Sequence, residues 1–165
     1  MNDGSAALDC ERFRLRRFLE SLDAGELERR DAPIDLADVA AALEGNPRAV
    51  LFASAGPEGA QLCANVLASR SRMARAFGTT REGLLPELLR RLKAPPQIVE
   101  VSREAAPVQS VVQEGDAADL TALTAHLQHR LDGAPYISAS VEYSIDPSTG
   151  WTNVGIRRLM LRGRR

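Results

Sequence analysis

An asparagine and an arginine stand five residues apart around a glycine in the segment TNVGIRR, residues 152–158. The amide oxygen of Asn153 is the kind of ligand that Mg²⁺ or Mn²⁺ accepts. The guanidinium of Arg158 stays protonated and can hold a carboxylate through two parallel hydrogen bonds. One amide oxygen is too weak to hold a divalent cation alone, and an arginine offers no acid–base chemistry. These residue types therefore predict half of a site for an anionic ligand.

The residues around this pair have the pattern of a β-hairpin. The sequence DPSTG at 146–150 is rich in turn residues, and 151–161 is predicted to return as the second strand. Because Asn153 and Arg158 are an odd number of residues apart, a regular strand would point them to opposite faces. We therefore predict a bulge or irregular pairing between 153 and 158, most naturally at Gly155. The first strand is predicted to bury one face, which carries Ile137, Ala139, Val141, Tyr143 and Ile145.

The sequence before the hairpin predicts short helices alternating with strands. Pro95 and Pro96 end the last helix and divide the chain into an N-terminal α/β region, 1–95, and a second region, 96–165. The expected helices are 11–23, 36–44 after an Asp35 N-cap, 70–77 after a Ser69 N-cap, and a stretch up to Lys93 that is stable from about Pro86. The expected strands are 26–30 at an edge, 49–53 buried, 61–66 after a GPEG turn, 98–101 and 108–113.

Three segments carry less specific signals. Residues 1–9 are small and polar and are expected to fray. The leucines of 120–131 fit either a helical stripe or an irregular crossing. His126 and His129 have a spacing that can bind a metal on a helix, but two histidines without a third ligand are more typical of a solvated face.

The composition narrows the class of protein. The 165 residues carry a formal charge of −1, which argues against a general binder of nucleic acids. There is no run of 18 apolar residues, so no membrane span is expected. Cys10 and Cys63 form no CxxC pair, and the N-terminal residues lack the order of a secretory signal, so we expect reduced thiols in the cytoplasm.

Several segments, in order, resemble the N-terminal part of the UbiD family of decarboxylases. The resemblance is specific in the hairpin, DGAPYISASVEYSIDPSTGWTNVGIRRLM (132–160), and looser before residue 95. The other segments are the helix at 11–23, ANVLASRSRMARAFG (64–78), LKAPPQIVE (92–100) and APVQSVVQEGDAADLTAL (106–123). The resemblance implies an α+β fold: an N-terminal α/β region followed by the first strands of a split, flavin-reductase-like β-barrel, here incomplete.

The same resemblance implies a cofactor and a reaction. The cofactor is prenylated FMN with a divalent metal, manganese or magnesium, and optionally potassium. The reaction is the reversible, non-oxidative decarboxylation of aromatic or α,β-unsaturated acids. By this resemblance Asn153 is a metal ligand, Arg158 is the catalytic arginine, and Ser138 lies near the isoalloxazine or the phosphate. The strand residues that would lie along the flavin are Gly155, Ile156, Arg157 and Arg158.

The chain also departs from the family pattern. It matches about the first third of a full member, and the remaining metal ligands and both catalytic glutamates lie beyond residue 165. TAHLQHRL (124–131) stands where the family usually has prolines. We therefore expect a small or partial subunit of a UbiD-like carboxy-lyase, inactive alone. Its site would be completed by a larger UbiD-like subunit or by self-association through the open edge of the hairpin.

Two other interpretations remain open. The chain could be a non-catalytic interaction or assembly protein derived from a decarboxylase N-terminal domain, or a stand-alone flavin-binding module. Neither nucleic acid nor a membrane is an expected partner.

Overall fold

The structure is a computed structural model and describes residues 10–95 and 100–164. It separates into two compact units, which are considered one at a time below. The first unit consists of Met1–Arg30, Asn46–Leu51 and Cys63–Val112, and the second of Asp31–Gly45, Phe52–Leu62 and Gln113–Arg165.

The fold is mixed α/β, with short helices and two small sheets. The helices are α1 (Leu15–Glu20), α2 (Val39–Leu43), α3 (Arg70–Ala76) and α4 (Leu84–Lys93). The strands are β1 (Leu27–Arg30), β2 (Ala49–Ala55), β3 (Ala60–Ala64), β4 (Tyr136–Ile145) and β5 (Thr152–Met160). One sheet has the order β1-β2-β3, with β1 at the predicted edge, and the other is the β4-β5 hairpin. Across the described residues neither sheet closes into a barrel.

The core of the first unit is aliphatic. Its buried members are Leu19, Leu22, Leu27 and Ala49, and Cys63 packs against them. Burial raises the pKa of the Cys63 thiol, which keeps it protonated and suits a core residue better than a nucleophile.

A buried arginine ties the start of α3 to the segments that flank the three strands β1, β2 and β3. Ser69 caps the helix as predicted, because its Oγ accepts hydrogen bonds from the backbone N–H groups of Ser71 and Arg72. Arg72 is only 3% exposed, yet each of its three guanidinium nitrogens donates a hydrogen bond. It donates to the carbonyl oxygens of Val66, Asn65 and Pro47 at 2.9, 3.1 and 2.7 Å, and to Glu26 Oε2 at 2.8 Å.

Two predicted starts of helices differ from the structure. Asp35 does not cap α2. Its Oδ1 accepts from the N–H of Ala37 at 2.8 Å and closes a turn, and the helix begins only at Val39. The predicted helix at 11–23 divides into a 3₁₀ turn, Cys10–Phe13, and α1.

The region after α4 is where the secondary-structure prediction was wrong. Residues 108–113 form no strand; Pro107–Gln109 is a 3₁₀ turn, and Val108 and Val111 are exposed. Of the strand predicted at 98–101, residues 98–99 lie outside the described residues, as do 1–9, and 100–101 are not in a strand. The irregular alternative holds for 120–131, which contains the 3₁₀ turn Leu120–Ala122 and an isolated β-bridge from His126 to Tyr136. Among the described residues, no helix has both the length and the apolar character required to cross a bilayer.

Candidate functional site

The tip of the β4-β5 hairpin is fixed by one aspartate. Asp146 accepts hydrogen bonds from the N–H and Oγ of Ser148 at 2.8 and 2.7 Å, and from Oγ1 of Thr149 at 2.8 Å. These donors stabilise the carboxylate and lower the pKa of Asp146 to about 2. Gly150, at φ 72°, provides the left-handed residue that the turn requires.

The base of the hairpin is attached to the rest of the second unit. The N–H of Tyr136 donates to the carbonyl of His126 at 3.2 Å, and the N–H of Leu161 donates to the carbonyl of Pro135 at 2.9 Å. Below it, Arg164 Nε donates to Asp119 Oδ2 at 2.8 Å. The hairpin thus has an anchored base and a tip held by its own turn.

The register of the two strands breaks once, opposite Arg158. Ile137 pairs with Leu159 and Ser140 pairs with Arg157, so Ser138 and Ala139 together face Arg158 alone. This is a β-bulge with its extra residue on β4. It lies at the end of the predicted interval, and Gly155, the predicted position, pairs regularly with Glu142. Two of the predicted site residues, Ser138 and Arg158, are thereby brought opposite each other.

The alternation of the strands divides the side chains of the hairpin between two faces, and the bulge shifts this alternation once on β4. One face is polar and carries Ser140, Glu142, Ser144, Asn153, Gly155 and Arg157. The other carries Val141, Tyr143, Ile145, Val154, Ile156 and Arg158. Because β5 has no extra residue, its alternation continues and Asn153 and Arg158 lie on opposite faces. The change of register also moves Ile137 to the polar face, away from Val141, Tyr143 and Ile145, with which it was predicted to share a face.

The predicted buried face is open. Tyr143, Ile145 and Ile156 are 75%, 66% and 84% exposed. The expectation of a strand with one buried face was therefore wrong for the described chain, because nothing within it packs on this side of the hairpin. A two-stranded hairpin with an uncovered apolar face is marginally stable, so this face is a surface suited to a further layer or a flat ligand.

The polar face carries a cross-strand ion pair. Arg157 Nε donates to Glu142 Oε2 at 3.0 Å, and both side chains are about half exposed. The guanidinium reaches Glu142 by lying over Gly155: a Cβ at Gly155 would be 3.4 Å from Arg157 Nε and 3.5 Å from Cζ. A Cβ at this position would touch the guanidinium at ordinary van der Waals distance, so only a side chain larger than a methyl group would crowd it. Glu142 was not among the residues selected from sequence, although a glutamate and an arginine on facing strands are the signal that could have found it.

Arg158 differs from its neighbour. Within the described residues its side chain forms no ion pair, and it is exposed beside Ile156 on the apolar face. An unpaired guanidinium next to an apolar surface can bind the carboxylate of a ligand whose remaining part is apolar.

The oxygen donors near Asn153 do not make a metal centre by themselves. Among the described residues there is no group of three or more His, Cys, Asp or Glu side chains placed to hold an ion. Asn153 pairs with Ser144, so one amide oxygen and one hydroxyl are what this part of the hairpin offers. His126 is half-buried, and burial lowers its pKa; neither it nor His129 lies on a helix.

Two family models match the chain over most of its length. Residues 20–92 match the 3-octaprenyl-4-hydroxybenzoate carboxy-lyase N-terminal domain, and residues 99–165 match the Rift-related domain of the same carboxy-lyase. The chain belongs to the UbiD family and corresponds to its N-terminal part.

The chain is also similar to three known proteins. An uncharacterized protein in the cooM 5′ region of Rhodospirillum rubrum is 30% identical over 163 residues, covering 91% of this chain and 34% of that protein. Anhydromevalonate phosphate decarboxylase of Methanothermobacter thermautotrophicus is 38% identical over 71 residues, covering 41% of this chain and 17% of that protein.

The third is the UbiD-class enzyme HmfF of Pelotomaculum thermopropionicum. Its structure in complex with FMN is similar at a TM-score of 0.83 and 27% identity, over 90% of this chain and 34% of that one. An evolved dimeric form in complex with prFMN is similar at a TM-score of 0.81 and 28% identity, over 90% and 36%. The chain thus spans about a third of the length of HmfF and of the Rhodospirillum protein.

Proposed function

We propose that this chain is a component of a UbiD-like carboxy-lyase that decarboxylates aromatic or α,β-unsaturated acids with prenylated FMN. In this proposal the β4-β5 hairpin forms part of a split-barrel wall of the flavin site. The complexes of HmfF with FMN and with prFMN support a flavin, since that enzyme and this chain have similar folds over 90% of the chain.

The observation that carries the proposal is the state of Arg158. Its guanidinium has no ion-pair partner in the described residues, and the side chains beside it on the same face are apolar and exposed. An aromatic or unsaturated acid has the complementary chemistry, a carboxylate on a flat apolar framework. The arginine would hold that carboxylate through two hydrogen bonds and fix its orientation.

The hairpin also fits a flavin, although it offers only part of what the cofactor needs. Ile156 and Val154 present an open apolar surface on which a ring system could lie. Ser138, on the bulge, would donate a hydrogen bond from its hydroxyl to the isoalloxazine or the phosphate. The bound flavin would supply the site that accepts the electron pair released with carbon dioxide.

The divalent metal fits Asn153 only as one ligand among several. A magnesium or manganese ion takes about six oxygen ligands, and phosphate oxygens can provide some of them. Asn153 would orient such an ion toward the flavin phosphate rather than hold it alone. Asn153 and Arg158 lie on opposite faces of β5, so in this arrangement Asn153 would serve the metal and Arg158 the substrate from different sides of the strand.

We expect the proton to come from residues outside this hairpin. Decarboxylation requires an acid to protonate the product carbon, and Arg158 cannot give up its proton. Glu142 is bound to Arg157 on the opposite face of the hairpin. We propose that further polypeptide covers the exposed apolar face and supplies the acid, either as a larger UbiD-like subunit or as a second copy that meets the hairpin.

The test measures turnover by the assembled protein in the presence of the prenylated cofactor. The chain is co-expressed with a flavin prenyltransferase and with the remaining two-thirds of a UbiD-class relative. The purified mixture is assayed for carbon dioxide release from a panel of aromatic and unsaturated acids. We expect kcat/KM to fall at least about 100-fold in Arg158→Ala, less in Arg158→Lys, and not at all in Arg162→Ala. Equal activity of Arg158→Ala and the unaltered chain would remove Arg158 from the mechanism.

An assembly role is the second candidate, favoured by the exposure of the hairpin's apolar face. In that case Arg158→Ala and Asn153→Ala would leave the activity of a companion decarboxylase unchanged. Ile156→Asp, which places a charge in the exposed face, would prevent the two proteins from co-purifying. Loss of binding without any dependence on Arg158 would therefore distinguish assembly from catalysis.

A further inference from the structure

Residues 116–126 are hydrogen-bonded to both sides of the hairpin base, and we call them the base strap. On the β4 side, the carbonyl oxygen of His126 accepts from the N–H of Tyr136 at 3.2 Å. On the other side, the N–H of Leu120 donates to the carbonyl oxygen of Arg164, beyond the end of β5, at 2.9 Å. The base strap therefore connects the start of β4 to the segment that follows β5.

Asp119 is the side chain through which the base strap holds Arg164. Its Oδ1 accepts from the N–H and Oγ1 of Thr121 at 2.9 and 2.5 Å, so the carboxylate is fixed by its own turn. Its Oδ2 accepts from Arg164 Nε at 2.8 Å, and Arg164 Nη2 donates to the carbonyl of Asp116 at 3.3 Å. The hydrogen bonds from Thr121 and Arg164 lower the pKa of Asp119, so its carboxylate is charged at neutral pH.

The two ends of the hairpin have registers that differ by one residue. Between the tip and the Ser140–Arg157 pair, the strands keep the register that the turn sets. At the Ile137–Leu159 pair, β5 is displaced by one residue relative to that register. One residue of strand is about 3.3 Å long, so two anchors that disagree by this distance require a bulge between them.

The sequence of β4 agrees with the turn and not with the base. Its apolar residues alternate without interruption from Ile145 back to Ile137, and an unbroken ladder would keep all of them on one face. The observed break instead places Ile137 on the polar face. The signals within the hairpin therefore favour an unbroken ladder, and the displaced register needs a cause outside the hairpin.

We propose that Asp119 is a positioning residue: by holding Arg164, it keeps the hairpin base in the displaced register and so maintains the bulge. The base strap is attached to β4 at His126, so a shift of β5 into the register of the turn would carry Arg164 about 3.3 Å along β4. A hydrogen bond of 2.8 Å does not survive such a displacement. The Asp119–Arg164 contact and the unbroken ladder therefore exclude each other.

The displaced register decides which residues face Arg158. In the structure Ser138 and Ala139 together lie opposite Arg158. In the register of the turn, Ala139 would face it alone and Ser138 would face Leu159. The consequence for ligand binding rests on the function proposed above, whereas the choice of register does not.

Cross-strand NMR contacts of the purified chain, measured without any ligand, test the proposal. The unaltered chain should show contacts of Leu159 with Ile137. Asp119→Asn keeps an oxygen for Thr121 but turns an amide NH₂ toward the guanidinium of Arg164. In this variant the conformer with Leu159 opposite Ser138 should rise at least about fivefold in population, while the contacts near the tip stay unchanged.

Leu120→Pro tests the main-chain contact by itself. Leu120 is the first residue of a 3₁₀ turn and follows an extended Asp119, so proline fits there and removes the N–H that binds Arg164. This variant should also populate the shifted register, and combining it with Asp119→Asn should do so further.

Substitutions of the arginine provide the rescue and the control. Arg164→Gln should act like Asp119→Asn, and Arg164→Lys should recover part of the original register because it keeps a cation for Asp119. Arg162→Gln is the matched control, since this exposed arginine has no ion-pair partner among the described residues, and it should behave as the unaltered chain.

Two results would overturn the proposal. One is an original register that persists unchanged in both Asp119→Asn and Leu120→Pro. The other is loss of the cross-strand contacts along the whole hairpin, because the base strap would then stabilise the hairpin without setting its register. Since no ligand is present, either result is independent of whether Arg158 binds a carboxylate.

Discussion

Arg157 Nε lies 3.0 Å from Glu142 Oε2, and the guanidinium reaches that position by lying across the Cα of Gly155. The two adjacent arginines of β5 therefore differ in whether they have an ion-pair partner. Arg157 is neutralised on the polar face, while Arg158 projects from the other face without an ion-pair partner in the described residues. The hairpin thus presents one available guanidinium rather than two.

A larger residue at Gly155 should break this arrangement. In Gly155→Val the added methyl groups occupy the space of the Arg157 guanidinium, so the ion pair with Glu142 should be lost. A double-mutant cycle with Glu142→Gln and Arg157→Gln should give a coupling of about 0.2–1 kcal/mol in the unaltered chain, since both groups are half exposed. The coupling should vanish in the Gly155→Val background; a coupling that survives there would show that the glycine is irrelevant to the pair.

The bulge should decide whether Arg158 is correctly presented. Deleting Ala139 removes the extra residue of β4 and would let Ser138 pair with Arg158 in a regular ladder. We expect the hairpin to persist, with cross-strand NMR contacts in the new register, and FMN binding to weaken. Ala139→Gly keeps the residue count and should retain both the bulge and the affinity. An unchanged affinity in the deletion variant would separate ligand binding from the bulge.

The hairpin could be predicted from sequence because its signals are local: alternation over 137–145 and a DPSTG turn whose aspartate holds the tip. The bulge could not be placed, because it reconciles a base fixed by the Tyr136–His126 bond with a tip fixed by the turn. The sequence alone favoured a bulge at Gly155, but in the structure the side chain that lies over this glycine is Arg157 of the same strand. The valines of 108–113 suggested a strand, but β-propensity produces one only where a partner strand is available.

The buried arginine of the first unit is the residue whose loss should destabilise it most. Arg72→Ala would remove one donor from each of three carbonyls and from the Glu26 carboxylate, at a cost of about 3 kcal/mol. Arg72→Lys should recover only part of this, because an ammonium cannot reach all four acceptors. Urea unfolding followed by circular dichroism measures the difference. Arg75→Ala, at an exposed position of the same helix, is the control and should change the stability by less than about 0.5 kcal/mol.

The turn of the hairpin should loosen in acid at a pH set by Asp146. The folded state lowers the pKa of this carboxyl from an ordinary 3.8 to about 2. A lowered pKa means that the ionised form stabilises the turn, so this contribution is complete above about pH 4 and disappears as the pH falls toward 2. Trp151 is the single tryptophan of the chain and follows the turn directly, so its fluorescence reports the change.

We expect a fluorescence transition between about pH 4 and 2 in the unaltered chain. It should be absent in Asp146→Asn, whose amide oxygen still accepts hydrogen bonds but has no charge to lose. Glu87 titrates in the same range on α4, so Glu87→Gln is the matched control and should keep the tryptophan transition. If the transition persists in Asp146→Asn and disappears in Glu87→Gln, the acid sensitivity belongs to the helix, and the hairpin turn is stable without its carboxylate.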